Sequence, residues 1–209
     1  VAAAILGVMA TPAPSTEPRM LRDPLVARSL IGLAGLPTIV AMGPFDDRLD
    51  SQQLADAFAT VRRRCNAQLV LLGRGLQRVE VMRRSFAQGV GKDVHLLRDL
   101  PADRWPDVVA AADVVVPSGA SGPRSLLQVL AAGRPVVAPI NPATMRLVVP
   151  SSAGLVYRSG DVSGMAAAML RLLTSPTLRH GMACRASEVA RRHPLQMSLQ
   201  QSDEGNGYA

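Results

Sequence analysis

Short runs that are apolar at nearly every position, rather than at every second one, recur along this chain with longer helical stretches between them. They are Thr38 to Met42, Leu69 to Leu72, Val94 to Leu96, Val114 to Val116, Val136 with Val137, and Leu155 to Tyr157. A strand apolar on both sides needs both faces covered, and the economical way to do that is a parallel sheet sandwiched by its crossover helices. The intervening segments supply them: Gln52 to Arg64, Leu76 to Gln88, Trp105 to Ala111, Arg124 to Ala132 and a helical turn at Thr144 to Val148. The expected fold class is therefore α/β, a Rossmann-like, doubly wound parallel sheet with helices on both faces. Before this core, Val1 to Val8 reads as an opening strand, Thr11 to Pro18 as a Pro-rich link and Asp23 to Gly32 as a short helix. After Tyr157 the pattern turns helical, over Val162 to Leu173 and Pro176 to Arg192, with Pro176 suited to a first helical turn. The polar remainder, Pro194 to Ala209, reads as a loose tail, so one domain is expected over residues 1–193 and a flexible tail over 194–209.

Composition removes several function classes. The apolar run Val1 to Ala10 is too short to span a bilayer and lacks the positive flank of a signal peptide, so a cytoplasmic location is expected. Cys65 and Cys184 lie far apart with no metal-ligand spacing, which predicts buried free thiols on helices and no metal site. The net charge of +7 would suit a phosphate backbone, but aromatics make up only 3% of the chain and the arginines are scattered, so no specific nucleic-acid partner is expected. Arg62, Arg63 and Arg64 form the densest basic cluster, read as a solvated helix face, with an acidic membrane surface or partner as the lesser reading. Lys92 is the only lysine among 23 basic residues, so a phosphate-binding cation here would be arginine.

Ligands of doubly wound sheets sit beyond the carboxyl ends of the strands, where loops lead into helix N-termini. Three such loops carry glycine: Gly43 to Arg48, Gly73 to Gly75, and Ser118 to Pro123. Small residues let an anion approach the backbone, and free N–H groups with the helix dipole then favour it. Each loop alone is weak testimony, because any strand-to-helix turn has use for glycine.

The run Ala112 to Ser118, followed by Ser125-Leu126-Leu127-Gln128-Val129-Leu130-Ala131-Ala132-Gly133-Arg134-Pro135-Val136-Val137-Ala138, resembles the donor-site stretch of the family 4 (group 1) glycosyltransferases. The similarity extends through Leu69 to Gly75 and Val94 to Leu97 before it, and through Gly154 to Tyr157 and Gly160-Asp161 after it. Ile5 to Val8, with Pro14 following, resembles the crossover into that family's second domain, so the resemblance covers residues 1–193. It implies one half of a GT-B fold, the C-terminal half that holds a UDP- or GDP-sugar, with no metal or other cofactor. By the same resemblance, Gly43, Arg48, Gly122, Arg124 and Ser125 fall at diphosphate-binding positions, Gly73, Leu97 and Gln128 at nucleoside and ribose positions, and Ala120 at the position that contacts the transferred sugar.

The departures from the family are as informative as the matches. Its two donor-site glutamates correspond here to Ala120 and Gln128. A neutral amide can still bond a ribose diol but forgoes the charge-assisted bond, a loss of about 1–2 kcal/mol. The first loop retains only Arg48 as a nearby cation, and Pro123 removes one N–H from the helix start while Arg124 adds a cation there. Two functions follow from the resemblance. One is a divergent donor-binding domain for retaining glycosyl transfer, with an N-terminal acceptor domain on another chain, or a second copy of this one, as partner. The other is a non-catalytic module of the same descent that binds a nucleotide weakly or contacts a protein. No catalytic residue is assigned in either. His95, His180 and His193 have no motif partner, Ser118 and Ser121 lack a nucleophile-elbow setting, and Trp105 reads as a packing anchor.

Overall fold

The computed structural model describes residues 23–97, 100 and 104–193. The opening strand, the Pro-rich link and the polar tail expected from the sequence lie outside the described residues. Six parallel strands form one sheet: β1 (Thr38–Met42), β2 (Gln68–Leu72), β3 (Val94–Leu96), β4 (Val114–Pro117), β5 (Val136–Pro139) and β6 (Gly154–Tyr157). Their order is β3-β2-β1-β4-β5-β6. The chain thus steps outward from β1 to β3, returns to the other side of β1 as β4, and steps outward again. The direction of winding reverses between β1 and β4, where Ile39 to Met42 register with Val114 to Pro117.

Every residue of β1, β2, β4 and β5 is buried, as an apolar strand with two covered faces requires. Alternate side chains divide the core into two layers. Ile39, Ala41, Leu69, Leu71, Val114 and Val116 face α2 (Arg48–Arg62), α3 (Arg78–Ala87) and α7 (Val162–Thr174). Val40, Met42, Val70, Leu72 and Val115 face α4 (Trp105–Ala110), α5 (Pro123–Ala131), α6 (Pro142–Leu147) and the second half of α8 (Pro176–Arg192). A helix α1 (Pro24–Leu30) packs beside α4.

Two helices start earlier than their apolar periodicity indicates, each for a capping reason. The Asp47 side chain accepts the Asp50 N–H at 2.8 Å, so α2 begins at Arg48 rather than near Gln52. Pro123, whose missing N–H is no loss in a first turn, opens α5. The α6 turn carries a reciprocal cap: Asn141 accepts the Thr144 N–H and the Thr144 hydroxyl accepts the Asn141 N–H, both at 2.9 Å.

At the amino ends of the strands a compact ionic cluster joins remote segments. Arg28 is 4% exposed; it donates to the Asp113 carboxylate and, through Nε, to the Ala111 carbonyl at 2.9 Å. Asp113 also accepts the Thr38 N–H at 2.8 Å and pairs with Arg179 at 3.4 Å. Burial pushes the guanidinium of Arg134 below its ordinary value, and the Asp113 charge opposes that shift.

The cysteines depart from the sequence expectation. Cys65 is half-buried in the turn after α2, and Cys184 is exposed on α8, where helical spacing sets its Sγ 3.7 Å from Nε2 of His180. The arginine cluster is only partly a solvated face, since Arg62 bonds Asp93 at 2.9 Å and ties α2 to the start of β3. Among the described residues no helix is long and apolar enough to cross a membrane.

Candidate functional site

The reversal between β1 and β4 opens a crevice at the carboxyl ends of the strands, the place where doubly wound sheets bind ligands. Backbone hydrogen bonds draw the glycine loops together there. Gly43 donates to the Leu72 carbonyl at 2.8 Å, Phe45 to that of Arg74 at 2.8 Å, and Gln77 to that of Phe45 at 3.0 Å, so the loops after β1 and β2 are zipped to each other. That contact explains two glycines. Gly73 and Gly75 have φ of +125° and +121°, and a Cβ on Gly75 would lie 2.3 Å from the Phe45 carbonyl oxygen. Arg78 fastens the second loop by donating to the carbonyls of Gly73 and Gly75, both at 3.0 Å. The loop after β4 joins from the other side, with Ser118 donating to the Met42 carbonyl at 2.8 Å and Ser121 to that of Ser118 at 3.0 Å.

Between these loops lies a narrow cavity of about 30 Å³, room for a water-sized body and not for a nucleotide. Its polar wall comes from Asp47, Asp50, Ser118, Gly119 and Tyr157, and its apolar wall from Met42, Phe45, Leu54, Val116 and Met165. Burial, and then the Asp50 charge, push the Tyr157 phenol well above its ordinary value, so it keeps its proton and can donate. A larger ligand would have to lie across the rim, over the exposed Gly119, Ala120 and Gly122.

The residues singled out by sequence occupy this rim in two groups. Gly43 and Gly73 are in direct contact: a Cβ on Gly73 would stand 3.0 Å from the Gly43 nitrogen. Ala120, Gly122, Arg124, Ser125 and Gln128 run from the β4 loop into the first turns of α5. Gly122 is the N-cap, with no side-chain cap and with open space where a Cβ would be, so the first-turn N–H groups of Arg124 and Ser125 are not covered by a capping side chain. Arg124 is partly buried, and its Nε and Nη2 are shielded from water without a hydrogen-bond partner among the described residues. Gln128 is exposed one turn further along. Leu97, just beyond β3, packs with Leu100 and Trp105 against the α5-side core layer.

Arg48 stands apart from both groups. It precedes Gln52 by one helical turn, and Gln52 bonds Glu80 of α3 at 3.0 Å, so Arg48 shares the α3-facing side of α2. Together with the Arg83 and Gln52 hydrogen bonds, which weigh more, its charge helps hold Glu80 down to about 2. The side of α2 turned to the cavity carries Asp47 and Asp50 instead. Sequence reading passed over Asp50, whose Oδ2 accepts the Gly119 N–H at 3.1 Å across 69 positions, and Arg78; the Asp47-x-x-Asp50 capping spacing was the available signal for the first. Among the described residues no three His, Cys, Asp or Glu side chains are grouped to hold a metal ion.

Residues 36–175 match the family of glycosyl transferases group 1. A phosphatidyl-myo-inositol mannosyltransferase of Mycobacterium leprae is 30% identical over 174 residues, covering 77% of this chain and 45% of that protein. The chain thus spans less than half the length of this curated relative. Among solved structures, the C-terminal domain of a glycosyl transferase group 1 family protein of Francisella tularensis superposes with a TM-score of 0.74 at 16% identity, over 83% of this chain and 94% of that one. The Anabaena protein HepE in complex with UDP superposes with a TM-score of 0.72 at 22% identity, over 86% of this chain and 50% of that one. At these identities the superpositions establish the fold, the Rossmann-like half of a GT-B architecture.

Proposed function

From the premise that the chain belongs to the group 1 glycosyltransferases, we propose that it is the donor-binding part of such an enzyme, holding a UDP- or GDP-sugar for retaining transfer. The observation that carries this reading is the uncapped start of α5 at the switch point, with the Arg124 guanidinium short of partners beside it. A departing nucleoside diphosphate gathers negative charge in the transition state, and catalysis needs preorganised donors where that charge grows. The Arg124 side chain and the N–H groups of Arg124 and Ser125 would meet the phosphates, with Gly122 letting them approach the backbone. Gln128, one turn on, would bond the ribose hydroxyls from the same helix face. Gly43, Gly73 and Leu97 would border the nucleoside, Ala120 would leave room beside the transferred sugar, and Arg48 would act on the diphosphate only from a distance. No metal or other cofactor takes part in this scheme.

The small cavity and the short span of the match support a second wall, and an acceptor site, supplied by a second domain on the same or another chain, or by a second copy. Sparse cations and two missing carboxylates make transfer slow. One observation favours a second reading, a non-catalytic module: a carboxylate of the chain itself already occupies a loop N–H of this site. Calorimetric titration with UDP, GDP and their mannose and glucose conjugates separates the two, mannose being included because the Mycobacterium leprae relative is a mannosyltransferase. The donor-binding reading expects micromolar binding that Gln128→Ala weakens about fivefold to tenfold. Failure to bind any of these at millimolar concentration would leave the non-catalytic module.

A further inference from the structure

The β4–α5 loop is held from within by an anion that belongs to the chain. Asp50 lies in the first turn of α2 and is fixed at its backbone by the Asp47 cap at 2.8 Å. Its Oδ2 reaches across the crevice to the Gly119 N–H at 3.1 Å. The approach depends on glycine, because a Cβ at position 119 would sit 2.6 Å from that same oxygen. The rest of the turn is closed on itself, with Ser121 donating to the Ser118 carbonyl at 3.0 Å and the two hydroxyl oxygens 3.3 Å apart. The result is a phosphate-type loop, at a helix N-terminus and a switch point, whose inward N–H points at a carboxylate.

We propose that Asp50 is an internal surrogate for phosphate, locking the Ser118–Gly122 loop so that a nucleoside diphosphate binds only by displacing its carboxylate from the Gly119 N–H. The inference rests on the donor-binding reading for the identity of the natural ligand, though not for the lock itself. Two physical terms act in the same direction. A bound diphosphate must compete for a charge-assisted hydrogen bond, and while the carboxylate stays it must also endure a like charge at close range, in a mouth that already holds Asp47. With the carboxylate in place, Asp50 forms part of the wall of the narrow cavity that a phosphoryl group would have to share. Arg124, two residues past the loop in the first turn of α5, is the nearest cation along the chain, and its Nε and Nη2 have no partner among the described residues. The consequence is a donor site held by its own carboxylate when empty, whose occupant must outcompete Asp50 for the Gly119 N–H.

The test is calorimetric titration of the full chain and its Asp50→Ala and Asp50→Asn variants with UDP and, separately, with inorganic pyrophosphate, each protein first checked for an unchanged thermal melt. The lock predicts that Asp50→Ala binds both ligands about tenfold or more tighter than the parent. Asp50→Asn gains less, because its amide oxygen still accepts the Gly119 N–H, and it decides the matter if the alanine variant does not fold. Affinities for pyrophosphate that stay level or fall in the variants overturn the lock. The two readings fail separately: a gain for pyrophosphate with no UDP binding in any protein sinks the nucleotide donor and keeps the lock, whereas equal UDP affinity in all three keeps the donor and sinks the lock.

Discussion

At the amino ends of the strands, Asp113 accepts from Thr38, Arg28 and Arg179, and Arg28 finds a second acceptor in Ala111. At the carboxyl ends, α5 begins without a capping side chain and Arg124 has two nitrogens shielded from water without partners among the described residues. Among the described residues both ends carry arginine and aspartate, but only at the amino ends are the two paired with each other. A buried charge with all its bonds made contributes a defined geometry, and losing one member is costly because the others stay buried. A buried polar group left without its bonds costs about 1–3 kcal/mol, and that cost persists where something outside the fold completes the set. On the donor-binding proposal, the difference separates an end whose charges are paired within the fold from an end that leaves groups for a ligand, even though the paired cluster also borders a cavity of about 300 Å³.

The most severe way to break the comparison is Asp113→Ala. It strands a guanidinium that is 4% exposed and leaves the Thr38 N–H unpaired at the start of the central strand. Urea denaturation should register a loss of about 3–5 kcal/mol, most of what a domain of this size has to spare. A loss under about 1 kcal/mol would mean that the amino end is not where the fold is secured.

This contrast was legible in the sequence only at one end. The six strands of the described residues lie where the nearly continuous apolar runs put them, because a strand buried on both faces leaves a signal in its own residues. The glycine loops were legible for the same local reason. Asp113 was visible only as part of a matching run, and its partners at positions 28 and 38 are 85 and 75 residues away, a distance no periodicity spans. Asp50 was legible locally only through its capping spacing from Asp47, and its bond to Gly119 crosses the crevice between residues 69 positions apart. Arg48 shows the opposite error of locality. Next to the first glycine loop it reads as part of a phosphate clamp, yet α2 starts at that residue, and helical spacing turns its side chain toward α3.

A milder perturbation sharpens the comparison from the other side. Arg124→Met keeps the aliphatic stem of the side chain and removes nitrogens that lack partners among the described residues. Its stability should match the parent's or exceed it by up to about 1–3 kcal/mol, because Nε and Nη2 lose no bond to the described residues and a desolvated charge is removed. Affinity for pyrophosphate should fall about tenfold, the worth of one charge-assisted contact. Melting curves and titrations on one preparation check both halves. A variant that melts markedly lower with unchanged affinity would assign Arg124 to the cohesive class and undo the distinction.

The smallest expected effect lies between the two ends, at His95 in the middle of β3. Burial holds its imidazole below the ordinary value, and the Asp93 charge opposes that shift only in part. A group that protonates less readily folded than unfolded makes the unfolded chain the better proton acceptor, so stability must rise with pH across that window. The contribution is therefore complete above the ordinary histidine value of about 6.5 and is lost as pH falls through the lower, folded value. Melting temperatures taken from pH 7.5 downward should decline modestly over that range in the parent and run flatter in His95→Gln. If the variant declines just as steeply, the proton is taken up elsewhere, and the middle of the sheet contributes nothing to the acid sensitivity of the fold.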